Sequence, residues 1–203
     1  MLFLKAMAMG LAIAAPLGPI GALCIQRTLA RGFWAGLAGG LGTALADALY
    51  AALAAAGFAT FAAILARISV PLGLVGGAFL LWLAWRGWPR GLPEARAAAA
   101  PPTRGIAAIT AVTFALTMAN PATILSFAAI FAGLGLANTA SLSAAAQVVG
   151  GIFTGSMLWW LLLSGTVAAL HHRLPPAFAL WVARGSSLMM AVFGFWALAL
   201  GGI

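Results

Sequence analysis

Acidic side chains are almost missing from this sequence: Asp and Glu together number two in 203 residues, and charged residues of either sign make up 6%. A soluble domain carries about a quarter of its residues as charges, so this chain has no polar coat to present to water. The shortage of acid also argues against an enzyme, which needs an acid-base pair or an activated nucleophile. One of the two acids, Glu94, sits among arginines in a linker and reads as solvated. Cysteine occurs once, as Cys24, which excludes an intrachain disulfide and reads as a small apolar filler. The two histidines, His171 and His172, are neighbours, and a helix would turn them about 100° apart. With no other residues at ligand spacing, neither a metal site nor a cofactor is expected.

What fills the chain instead is apolar, 65% of it. A helix that crosses a bilayer takes roughly 20 apolar residues, and runs of that order fall at residues 2–24, 34–58, 68–85, 106–136, 144–170 and 177–202. No period-two alternation appears, so helices are the spanning solution. The expected fold is an all-α integral membrane protein of six transmembrane helices. The net charge of +8 does not point to nucleic acid, because the cations lie in short loops and form no stripe with interleaved aromatics. Counted by side, Arg27, Arg31, Arg86, Arg90, Arg96, Arg104, Arg173 and Arg184 share one face, while Lys5 and Arg67 lie on the other. The cation-rich side is cytoplasmic by the positive-inside rule, which puts both termini on the non-cytoplasmic side of a plasma (inner) membrane. Trp34, Trp85 and Trp88 fall at span edges, where tryptophan anchors the interface.

Residues 89–105 form the one linker, rich in Pro, Ala and Arg. It divides the chain into residues 1–88 and 106–203, each with three spans. An odd number of spans per half makes the second half enter from the opposite face, so related halves would form two inverted three-helix repeats. Gly39-Gly40-Leu41-Gly42-Thr43 in span two resembles Gly150-Gly151-Ile152-Phe153-Thr154 in span five. Each half also carries a helix break in its first span: Pro16, Gly18 and Pro19 in one, Asn120-Pro121 in the other.

Those breaks are where function is expected. Proline removes a backbone donor and clashes one turn back. In hydrocarbon the freed groups are tolerated only inside protein or beside water. A half-helix starting at such a break points free N–H groups and the positive end of its dipole at the cavity, where a carboxylate can bind. Freed carbonyls opposite can hold an ammonium. Gly18, Pro19 and Ile20 on one side, and Asn120, Pro121 and Ser126 on the other, are the candidate substrate contacts. Asp47 lies 13 residues after Trp34, about 20 Å along a helix, near mid-bilayer. An ionised Asp there costs about 2.5–3.5 kcal/mol, so it should face the bundle interior together with Thr43, one turn back. Burial favours its neutral form and a bound cation its charged form. That tension suits a proton-coupling role. The glycine faces of spans two, three and five read first as close-packing surfaces, including contact within a homo-oligomer.

These residues together resemble the lysine exporter (LysE/RhtB) family of amino-acid transporters, over nearly the whole length. The resemblance rests on Gly18-Pro19 followed by Arg27-Thr28-Leu29 and Arg31-Gly32, the glycine-rich second span ending in Asp47, the basic linker, and Asn120-Pro121. It implies a six-span bundle of inverted repeats that exports amino acids or related small metabolites from the cytoplasm in exchange for protons. The same scaffold could instead carry a non-amino-acid metabolite or a metal cation. Relatives often begin the first motif with Pro-Gly-Pro, whereas here Leu17 precedes Gly18, and many place Lys after the Asn-Pro pair, where this chain has Ala122, so the resemblance does not name the solute.

Overall fold

The computed structural model describes residues 1–16, 18–56, 58–88, 105–120, 123, 127, 141–170 and 176–201. Among these residues there is no strand, and seven helices carry the chain: α1 (Leu2–Ala14), α2 (Pro19–Arg31), α3 (Phe33–Ala56), α4 (Phe58–Gly87), α5 (Ile106–Met118), α6 (Leu142–Leu170) and α7 (Pro176–Gly201). α3, α6 and the 180–199 part of α7 are long and apolar enough to cross a membrane. The pair α1 and α2 qualifies as a fourth span if its two bent pieces are counted together. The chain is therefore a helical membrane protein. The linker residues 89–104, Glu94 among them, and His171 and His172 lie outside the described residues.

The first apolar run is not one helix. α1 stops at Ala14, α2 starts at Pro19, and the two pieces meet at 81°. Pro19 takes the first helical position, where its missing N–H costs nothing. α2 then continues past residue 24, where the apolar run ends, as far as Arg31. Gly32 stops it, with a φ of 84° and its N–H donating to the Thr28 carbonyl at 2.8 Å, a conformation that glycine adopts without strain. This corrects the expectation for Arg27. It is not in a loop but one turn inside a helix, and it is fully buried. α5 likewise stops at Met118, two residues before Asn120.

Small residues set the helix contacts, as packing in lipid requires. Gly151 rests on Phe3 and Ala6, and Gly155 on Met7 and Leu11, so α1 runs parallel to α6. Gly36 faces Ser164 and Gly40 faces the Trp160 side chain, so α3 runs antiparallel to α6. The Ala38 carbonyl accepts from Thr110 at 3.0 Å while Tyr50 reaches Met118, so α3 runs parallel to α5. Gly77 and Gly194 bring α4 against α7. Exchanging α1 with α5, α3 with α6 and α4 with α7 turns this set of four pairings into itself, direction included for the first three pairings. α2 lies antiparallel to α3, with Thr28 beside Gly36 and Cys24 beside Gly39.

Candidate functional site

Asp47 is the one acid among the described residues, 1% exposed on α3. Its Oδ2 accepts a hydrogen bond from Ser156 Oγ of α6 at 2.8 Å. Its Oδ1 is buried and has no partner among the described residues. A carboxylate with one oxygen satisfied and one not is costly in an apolar interior. One turn away, Tyr50 is also buried, and its hydroxyl donates to the Met118 carbonyl at 2.7 Å. That bond satisfies one of the carbonyls that the end of α5 leaves without a helical partner. On the other side of Asp47, Thr43 Oγ1 lies 3.4 Å from Thr117 Oγ1 of α5.

These contacts fix the level of Asp47. It stands between Thr43, which meets Thr117, and Tyr50, which meets Met118, so it is level with the last turn of α5 and with the break behind it. The Ala119 and Asn120 amides donate back to Ala115 and Thr117 at 3.0 and 3.2 Å, and the chain leaves the helix there. Asn120 is buried. Along α2 the register of Cys24 with Gly39, carried on in the antiparallel sense, puts the α2 N-terminus within about a turn of Asp47. Gly18 is extended, no side chain caps α2, and Pro19 and Ile20 are buried. Gly18, Pro19, Ile20, Thr43, Asp47 and Asn120 thus gather at one depth of the bundle. Pro121 and Ser126 lie outside the described residues.

Ile20 points its side chain into an apolar cluster with Ala14, Cys24 and Trp160, so only its backbone faces the break as a polar group. Trp160 walls this cluster against Gly40, and Trp34, Trp85 and Trp88 are exposed at helix ends. Among the described residues no group of three His, Cys, Asp or Glu could hold a metal ion.

Three side chains escaped the sequence reading. Ser156 lies on the glycine-rich face of span five, which reads as a packing surface, yet it is the donor to Asp47. Tyr50 lies three residues after Asp47 and so on the same helix face, a spacing that could have revealed it. Arg27 was counted with the loops. It lies five residues before Gly32, and the helix that Gly32 ends is the signal that would have kept it inside.

The family model described as LysE type translocator matches residues 11–201. No curated protein and no solved structure matches the chain.

Proposed function

Because the chain belongs to the LysE type translocator family, we propose that it is a secondary-active exporter of amino acids or related small metabolites, driven by proton exchange in an alternating-access cycle. The observation that carries this reading is Asp47: a lone buried acid with an unpartnered oxygen, level with two helix breaks. An uncoupled scaffold has no use for such a group, which costs stability wherever it is charged.

In this mechanism a zwitterionic or cationic solute enters from the cytoplasm. Its carboxylate meets the N–H groups and positive dipole end of α2 at Gly18 to Ile20. Its ammonium meets Asp47 and the carbonyls near Asn120, with Thr43 as a further polar contact and Pro121 and Ser126 completing the second break. A proton arriving from outside neutralises Asp47 and releases the solute outward. Ser156 holds the carboxylate in place through both states.

The architecture proposed for this cycle is six spans in two inverted three-helix repeats, residues 1–88 and 106–203, joined by a cytoplasmic linker at 89–105, in the inner membrane with both termini outside. Supporting it, the helix pairings map onto themselves when the halves are exchanged, and α1 is parallel to α6 as α5 is to α3. The α3–α6 pair maps onto itself, so Asp47 and Ser156 lie beside the proposed axis. Rocking of one repeat against the other then exposes the same site to each side in turn.

Inside-out membrane vesicles containing the protein test this function. Under an imposed proton gradient they should accumulate one class from a panel of labelled basic, hydroxylated and branched apolar amino acids, and blank vesicles should not. No accumulation of any class by folded protein would move the assignment to another metabolite.

A further inference from the structure

Among the residues whose side chains are described, Arg27 is the one buried cation, and the site above does not use it. It is 0% exposed. Its Nη1 donates to Thr113 Oγ1 of α5 at 2.5 Å, beside Gly39 of α3. Its Nε and Nη2 are buried and have no partner among the described residues. Guanidinium stays charged under all ordinary conditions, and a buried charge with no counterion is strongly unfavourable. The identity of the two idle nitrogens is informative. Nε and Nη2 form one edge of the planar group, with two N–H bonds pointing the same way, and that fork matches the two oxygens of a carboxylate.

A second observation is a pair of idle donors on the helix that packs beside this part of α2. Leu23, one turn before Arg27 on the same face of α2, packs in one cluster with Met190 of α7. Ser187 and Ser186 lie three and four residues before Met190 on α7, and both are buried with hydroxyls that have no partner among the described residues. Arg27 is eight residues beyond Pro19, about 12 Å along α2 from the break, on the side of Arg31.

We propose that Arg27 is a carboxylate-binding residue of the transport path: its Nε–Nη2 edge receives the solute's carboxylate on the cytoplasmic side, before the solute reaches Asp47, with Thr113 orienting the guanidinium. A carboxylate is then an obligatory part of the solute. The inference rests on the exporter reading for its place in a cycle, but the binding itself can be measured without transport.

The experiment follows the unfolding temperature of the purified full chain in detergent while acetate and a panel of L-amino acids are titrated, each beside its carboxamide. Wild type should be stabilised by at least one carboxylate and not by the matching amide. In Arg27→Lys, which keeps the charge without the fork, and in Arg27→Gln, half-saturation should move at least tenfold higher. Thr113→Val, which changes no charge and little volume, should weaken the same response about threefold or more and raise the transport KM more than it lowers kcat. If no carboxylate outperforms its amide in wild type, the inference is overturned. The same holds if Arg27→Gln, or Thr113→Val where the Arg27 variants do not fold, responds as wild type does. The two readings fail separately. Arg27-dependent stabilisation by carboxylates without amino-acid accumulation in vesicles would sink the exporter reading alone. Accumulation with unchanged KM in Arg27→Lys and Thr113→Val would sink the Arg27 inference alone.

Discussion

A methyl group added at Gly155 would test how closely α1 lies on α6. The new Cβ of Gly155→Ala would collide with the Met7 carbonyl oxygen and stand 2.8 Å from the Met7 carbonyl carbon and the Leu11 nitrogen. All three are backbone atoms, so no side chain can turn aside. To restore an ordinary contact of 3.4 Å or more, α1 must move as a whole. Overpacking of this kind costs about 1–3 kcal/mol, which lowers the melting temperature of a chain of this size by about 2–12 °C. Gly165→Ala, ten residues further along α6, is the control: nothing lies within 4 Å of its Cβ, and helix propensity alone favours alanine by up to ~1 kcal/mol. Thermal unfolding in detergent separates the two. Because Leu11 is only a few residues before the break at Ala15 to Gly18, Gly155→Ala should also slow transport, whereas Gly165→Ala should not. A Gly155→Ala protein as stable as wild type would refute the close α1–α6 contact.

Other perturbations read the site itself. Tyr50→Phe removes the donor to the Met118 carbonyl and should cost about 1–3 kcal/mol, seen as a lower unfolding temperature; an unchanged value would mean that Tyr50 does not hold the end of α5. Ser156→Ala removes the hydrogen bond to Asp47 and should lower both stability, by about 1.5–3 kcal/mol while Asp47 is charged, and the rate of gradient-driven uptake. Retained uptake in Ser156→Ala would leave Ser156 a packing residue only.

Both helix breaks were legible in the sequence because proline and glycine act locally: α1 ends and α2 begins around Pro16, Gly18 and Pro19, and α5 ends just before Asn120-Pro121. Asp47 was legible because a lone acid in an apolar run has few places to go. The 81° between α1 and α2 was not, since proline and glycine locate a break without fixing its angle. Arg27 was missed for a related reason. Counting cations by side treats every arginine near the end of an apolar run as loop, but α2 runs on to Gly32 and carries Arg27 into the bundle with it. Ser156 was missed because a small polar residue on a glycine-rich face looks the same whether it fills space or donates to an acid across the bundle. Only the antiparallel register of α3 and α6 distinguishes the two.

In the proposed cycle Asp47 couples proton movement to solute movement. Purified wild-type and Asp47→Asn proteins reconstituted into liposomes test it most directly, with uptake of the transported amino acid followed across a range of pH, once under an imposed proton gradient and once as exchange against the same solute inside without a gradient. Asp47→Asn should lose gradient-driven accumulation and its pH dependence while keeping measurable exchange, because the rest of the site at the two breaks is intact. Accumulation by Asp47→Asn at the wild-type rate, with the wild-type pH dependence, would contradict it.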